Sequence, residues 1–387
     1  MTITKPLTPT TGETAGRRLP AARAFHPSMD GRLVFDDRPI LVYWELTLAC
    51  DLACRHCRAE AIPHRHPLEL TTEESKRLLD ELRAFGEPPP HVVITGGDPL
   101  HRPDLFELIE YAVELGLPLS VAPSGTNRLT RSTIEAFKAL GVQSMSLSLD
   151  GSTAERHDAF RGVPGCFDWT LEAIQAAHRM EIPLQINTLI TADTLDDIPQ
   201  LYALMRDLGI ARWSLFFLIA VGRGTVLRPV TPAQAEQLLQ QLYRWALEAS
   251  FAIKTTEAMH FRRVVYHHLR REGMTLDQIR RTSIGRGFGI RDGNGIMFIS
   301  HRGEVYPSGF LPLAAGNVRR QSPVEIYRHA PLFQRLRNPD LYAGKCGRCE
   351  FRMICGGSRA RAYADSGDPL GSDPLCPYQP RSQEVLV

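Results

Sequence analysis

The run Ile40-Leu-Val-Tyr-Trp-Glu-Leu-Thr-Leu-Ala-Cys50-Asp-Leu-Ala-Cys54-Arg-His-Cys57 opens on five apolar, β-branched and aromatic residues and closes on three cysteines. Such an opening reads as a buried strand, which places the three thiols on the loop at the strand's C-terminal end. Three thiolates are one too few for a closed zinc site or a fully ligated iron–sulfur cube. His56, inside the loop, offers a fourth ligand for zinc. The other reading is a 4Fe-4S cluster with one iron left open, and such an iron can chelate a molecule carrying adjacent amine and carboxylate groups, as an amino acid does.

Around this run lies an ordinary globular composition. The 387 residues are 43% hydrophobic and 23% charged, and 45 basic against 43 acidic residues leave a net charge of +2 without a basic stripe. Neither a nucleic-acid footprint nor a bilayer span of roughly 18 apolar residues is visible, and the first thirty residues have no apolar signal block. The chain therefore reads as cytoplasmic, with no nucleic-acid or membrane partner. In a reducing compartment disulfides are disfavoured, so the clustering of the eight cysteines at 50, 54, 57, 166, 346, 349, 355 and 376 points to metal. Forty arginines against five lysines fit either genome base composition or carboxylate recognition.

Strand patterns at 39–48, 91–95, 118–122, 142–149, 182–190 and 211–219 alternate with amphipathic helices. The first helix has a capping box, Thr71 with Glu74, an apolar face of Leu78, Leu79, Leu82 and Phe85, and a stop at Gly86. The second, near 104–115, ends at Gly116. Six strand–helix units of about 30 residues fit the span, where eight need about 250, so the expected fold is α/β, a partial (β/α)6 TIM-like barrel. Right-handed crossovers bring all C-terminal strand ends to one face, so the triplet loop, Gly96-Gly97, Ser148 and Asn187 should converge. Residues 1–36 read as an unstructured tail, 37–225 as the barrel, 226–290 as a mainly helical bridge, 291–380 as a small C-terminal domain, and 381–387 as a tail. His260, His267 and His268 read as one face of a bridging helix, and Val221-Gly-Arg-Gly224 as either a turn or a substrate-facing loop.

With its C-x3-C-x2-C loop after a first strand, the chain resembles the radical S-adenosylmethionine (SAM) superfamily, and later landmarks deepen the likeness. Gly96-Gly97-Asp98-Pro99 follows the second strand and resembles the family's G-G-E-P loop, with Asp for Glu. The resemblance implies that Cys50, Cys54 and Cys57 hold a 4Fe-4S cluster and that the Gly96–Pro99 loop approaches the methionyl amine of SAM. It also makes Ser148 and Asp150 candidate ribose or carboxylate contacts, Arg161 in His157-Asp-Ala-Phe-Arg161 a partner of the SAM carboxylate, and Asn187 a further cofactor contact. The activity implied is reductive cleavage of SAM to a 5′-deoxyadenosyl radical that abstracts hydrogen from the substrate, driven by a low-potential donor such as flavodoxin or ferredoxin.

Near the other end, Cys346-x2-Cys349-x5-Cys355-x20-Cys376 is a complete ligand set for either zinc or a 4Fe-4S cube. Together with Gly295-Ile-Met-Phe-Ile-Ser-His-Arg-Gly-Glu-Val-Tyr-Pro307 and Gly316-Asn-Val318, it resembles the SPASM/twitch auxiliary-cluster domain. Ser308 and Ser358 stand where full SPASM domains carry cysteines, which implies one auxiliary 4Fe-4S cluster, an electron relay for a net oxidation, rather than two. Cys166 belongs to neither set and reads as a core or loop residue. The segment Cys355–Tyr363 and the x20 gap most resemble the haem d1 and alternative haem synthesis branch, implying a tetrapyrrole substrate. Arg359 and Arg361 read either as propionate binders or as loop arginines packed about the cube. The alternatives are a maturase of ribosomally made peptides and, outside enzymes, a metal-binding interaction scaffold.

Overall fold

Alternating burial along short β-branched strands sets the two faces of the sheet. In the computed structural model, which describes residues 35–381, β1 (Leu41–Glu45) buries Val42 and Trp44 completely, while Leu41 and Tyr43 on its other face stay half-buried. Parallel strands β2 (His91–Thr95), β3 (Leu119–Val121), β4 (Ser144–Ser148), β5 (Leu184–Ile190) and β6 (Arg212–Phe217) follow in sequence order, each paired with the one before. The helices α1 (Thr72–Arg83), α2 (Leu105–Glu114), α3 (Arg131–Ala139), α4 (Ala154–Arg161), α5 (Cys166–Arg179) and α6 (Ile198–Asp207) fall between them. The result is the expected partial (β/α)6 TIM-like barrel. Each of the six expected strands is present, and α1 begins with the Thr71/Glu74 capping box.

Two features go beyond the sequence reading. A seventh parallel strand, β7 (Ala252–Thr256), pairs with β6, between α7 (Pro232–Glu248) and α8 (Phe261–Arg271). Its sequence, Ala-Ile-Lys-Thr-Thr, has a charge at its centre and no fully buried residue, so it offers no apolar run. Beyond α9 (Leu276–Arg281), β8 (Ile296–Ile299) then returns to pair parallel with β1, and β9 (Glu304–Tyr306) and β10 (Gly316–Asn317) add antiparallel edges. The C-terminal segment thus begins by prolonging the barrel's own sheet. Among the described residues that sheet ends at β7 and β10, so it stays open.

The helices α10 (Pro323–His329), α11 (Pro331–Arg337), α12 (Gly344–Gly347) and α13 (Arg359–Ser366) complete the chain. Of the tail expected over 1–36, residues 1–34 lie outside the described residues, as do 382–387. Phe35 and Asp36 are not loose: the Tyr327 hydroxyl donates to the Phe35 carbonyl (2.8 Å), and Asp36 pairs with Arg337 (3.1 Å). Among the described residues no helix is long and apolar enough to cross a membrane.

Candidate metal and cofactor site

At the C-terminal ends of the parallel strands, Leu52, Gly96, Gly97, Ser124, Ser148, His157, Arg161 and Asn187 line one cavity of about 160 Å³. Strand register explains part of this, since Ser148 and Asn187 are paired neighbours on β4 and β5. Backbone packing explains another. The Gly97 N–H donates to Thr47 O (2.8 Å) and the Asp98 N–H to Ala49 O (2.7 Å), so the glycine loop lies flat on the chain leading to Cys50. A Cβ on Gly97 would stand 2.4 Å from Ala49 O and 2.6 Å from Leu48 O, which only glycine avoids.

Not every expected residue faces the cavity. Asp98 and Pro99 lie beneath it: the buried Asp98 carboxylate accepts from Leu100 N (3.2 Å), Ser124 N (3.4 Å) and Thr126 Oγ1 (3.2 Å). Burial raises its pKa against the pull of those donors. Asp98 thus ties the loop after β2 to the loop after β3. Asp150 also stands behind the cavity wall. Its carboxylate accepts from Leu189 N (2.7 Å) and pairs with Arg161 Nη2 (2.5 Å), and its own N–H donates to His157 Nδ1 (3.1 Å). Burial is the largest single influence on Asp150 and opposes its ionisation, but the Arg161 guanidinium, His56, His157 and the Leu189 N–H together outweigh it and hold the carboxyl below its ordinary range. Arg161 in turn donates to Cys54 Sγ (3.6 Å), linking that sulfur to the carboxylate.

Every cysteine of the two sets accepts an N–H. Leu52 N reaches Cys50 Sγ (3.4 Å) and Ala61 N reaches Cys57 Sγ (3.3 Å), while Cys54 receives Arg161. In the second set Asp373 N donates to Cys346 Sγ (3.3 Å) and Gly357 N to Cys355 Sγ (3.5 Å), and the backbone at Phe351 and Tyr378 serves Cys349 and Cys376. Cys166 does the reverse, its thiol donating to Asp158 Oδ1 (3.2 Å). His157, Asp158 and Cys166 do stand close enough to hold an ion, but Asp158 is already occupied by Gly165 N, Phe167 N and this thiol.

The donor sets fit iron–sulfur clusters. N–H groups aimed at sulfur suit thiolates, and such hydrogen bonds tune cluster potentials. Among the described residues neither set brings three sulfurs within 4.8 Å of one another, whereas thiolates about 2.3 Å from one zinc would stand roughly 3.8 Å apart. His56 stacks on Phe160 (5.0 Å between ring centroids), and burial holds it neutral, with a pKa of about 4. Burial pushes the Cys50 thiol up to about 11 and Cys349, Cys355 and Cys376 to about 12, so loading metal must release protons.

Several loops resolve their alternatives. The segment Gly222–Val226 is a 3-10 turn that braces the first cysteine loop, with Arg223 N donating to Cys57 O (3.1 Å). Arg359 is fully buried against Gly371 O (2.7 Å) and the Tyr342 ring, and Arg361 donates to Glu257 O (2.6 Å), Phe217 O and Leu218 O (3.2 Å each). Both arginines are packing residues about the second set and are spent before any propionate arrives. On α8, His268 bonds Gln240 (2.7 Å) and His267 packs on Phe351, as an ordinary helix face. Sequence reading passed over Ser124, whose Oγ lies 3.5 Å from Cys50 Sγ and donates to Gly97 O (2.8 Å). The only signal for it is Pro123-Ser124-Gly125 directly after a strand.

The family model described as "Radical SAM superfamily" matches residues 44–205. The "AdoMet-dependent heme synthase" of Methanosarcina barkeri is 39% identical over 90% of this chain and 99% of its own length. The "Mycofactocin maturase MftC" of Mycobacterium tuberculosis is 31% identical over 91% of this chain and 86% of its own. Among solved structures, Streptococcus suis SuiB bound to precursor peptide SuiA shares the fold, with a TM-score of 0.69 at 18% identity over 89% of this chain and 77% of that one.

Proposed function

Since the chain belongs to the radical SAM superfamily of enzymes, we propose that its substrate is a tetrapyrrole whose propionate side chains it modifies oxidatively. The end-to-end match to a protein named AdoMet-dependent heme synthase carries this reading. Cys50, Cys54 and Cys57 would hold a 4Fe-4S cluster, with SAM against Gly96, Gly97, Ser148, Asn187 and Arg161. Cys346, Cys349, Cys355 and Cys376 would hold a second one. When bound, the first cluster and SAM supply a hydrogen-abstracting 5′-deoxyadenosyl radical in exchange for one low-potential electron.

The chain's own residues have defined tasks. Gly97 leaves room for the cysteine loop to fold onto the β2 loop, and Asp98 locks that loop to its neighbour. Asp150 holds Arg161 charged and oriented towards Cys54 and the cavity. Removing one hydrogen atom, one carbon dioxide and one further electron turns a propionate into a vinyl group, and the second cysteine set would hold the acceptor of that electron. Flavodoxin or ferredoxin in a reducing cytoplasm would serve as the donor.

Anaerobically purified protein should carry about eight irons per chain and release 5′-deoxyadenosine with dithionite and SAM. Supplied with iron coproporphyrin III, it should lose carbon dioxide from propionates, read by mass spectrometry. Modification of a precursor peptide with no change in the porphyrin would establish the second reading, which the 31% identity to a mycofactocin maturase favours. Colourless, zinc-loaded protein would refute both.

A further inference from the structure

Strand register arranges the inward-facing side chains in rows. Ser148, Asn187, Ser214 and Lys254 form one row across β4, β5, β6 and β7. Ser148 and Asn187 line the cofactor cavity, so Lys254 lies on the same face, two strands from Asn187, or about 10 Å at ordinary strand spacing. Arg212 shares this face one row lower, its Nη1 3.4 Å from Gln185 Oε1, and Gln185 Nε2 donates onward to Asn187 Oδ1 (2.8 Å). A polar chain thus runs from the cavity to Arg212, and Lys254 stands beside its end on the edge strand of an open sheet.

Among the described residues these two cations have no carboxylate partner. The charged groups acting on Lys254 are Arg212 and Arg262, both repulsive, and the group acting on Arg212 is the Tyr43 hydroxyl. Arg262 has its own partners, the carbonyls of Ile354 (3.2 Å) and Ile290 and the nearby Cys355 sulfur. Edge strands often carry a lysine as a guard against aggregation, but Lys254 shares its face with Arg212 and with the cavity-lining Ser148 and Asn187. Burial, first, and the two arginines, second, hold the Lys254 ammonium down to about 8. Half-buried cations with no carboxylate partner among the described residues, on the face that carries the cofactor cavity, mark a site for an anion.

We propose that Lys254 and Arg212 bind carboxylates of the substrate, seating propionates of the tetrapyrrole on the β6–β7 side of the barrel interior. The inference rests on the functional reading above and deepens it. A carboxylate held two strands from the cavity is not the one being lost. It anchors the macrocycle so that another side chain reaches the cavity, with lysine as a point charge and arginine as a planar fork.

Anaerobic equilibrium dialysis of the iron–sulfur-loaded protein with iron coproporphyrin III and with its tetramethyl ester tests this. Wild type should prefer the acid, and Lys254→Met and Arg212→Gln should each weaken acid binding by roughly tenfold or more while leaving the ester within about threefold. Lys254→Arg should retain most of the preference. Lys254→Met should also melt no lower than wild type, because it removes an unpaired charge. An unchanged acid preference in both variants would overturn the proposal and leave the functional reading standing. Equal weakening of acid and ester with a lowered Tm would show a structural lysine and likewise overturn it. Wild type that binds neither porphyrin would overturn the functional reading, and the proposal with it.

Discussion

Cys166 and Cys54 share one small cluster of buried side chains yet play opposite hydrogen-bonding roles, one donating to Asp158 and the other accepting from Arg161. Cys166→Ser should therefore keep the full iron load, whereas Cys54→Ala should lose about four irons, as measured by colorimetric iron assay. Gly97→Ala places a methyl carbon 2.4 Å from Ala49 O. It should abolish substrate-free 5′-deoxyadenosine formation, read by chromatography, because the cysteine loop must lift to admit it. Lys254 gives a prediction with a definite sign. An unfolded lysine titrates near 10.4 and the folded one near 8, so between those values the unfolded chain binds more protons and wild-type stability rises with pH. The thermal advantage of Lys254→Met over wild type at about pH 7.5 should shrink by about pH 9.5, as scanning fluorimetry at both values would show. Sequence spacing marked the cysteines and glycines because backbone approach and thiol chemistry depend on residue type. It did not show that Asp98 and Asp150 lie behind the cavity, since which side of a strand-end loop a carboxylate faces is settled only by its partners, the loop after β3 for Asp98 and β5 with α4 for Asp150.

Among the elements, α1 illustrates what local sequence can specify. The Thr71 hydroxyl accepts from Glu74 N (3.2 Å), the Glu74 carboxylate accepts from Thr71 N (2.9 Å), and Arg319 from beyond β10 donates to the same carboxylate (2.8 Å). That arginine's hydrogen bond is the largest cause of a Glu74 pKa of about 2. Thr71→Ala should cost about 1 kcal/mol, seen as a lowered denaturation midpoint at unchanged slope. The six strands of the barrel were legible because each is an apolar or alternating run bounded by glycine or proline. The strand β7 was not: it has little apolar surface, and what fixes it is register against β6, a long-range pairing that no local period reports. The parallel return of β8 to β1 was hidden for the same reason.

Over the whole molecule, the first cysteine set sits at the strand ends of one sheet, and the second lies in the helical segment that follows that sheet's last strand. Arg361, beside the second set, ties that segment to the barrel through the carbonyls at the end of β6. Cys376→Ala should lose about four irons and the oxidative turnover while still releasing 5′-deoxyadenosine without substrate, which separates the two sets by iron count and product analysis. Overall architecture was readable because a repeated strand–helix unit announces its own count, whereas the openness of the sheet and the placement of Lys254 and Arg212 on one face emerge only after folding. Glu45 at the end of β1 bonds His301 just past β8 (2.8 Å), and the two are 256 positions apart. At about 5–20 residues per second, a ribosome needs roughly 13 to 50 s to deliver the histidine after the glutamate. Through that interval the opening strand of the nascent chain has one flank bare, with the first three thiols already emerged beside it. Iron delivery before release would meet a half-built cradle, which makes post-translational maturation the natural order of events in the cell.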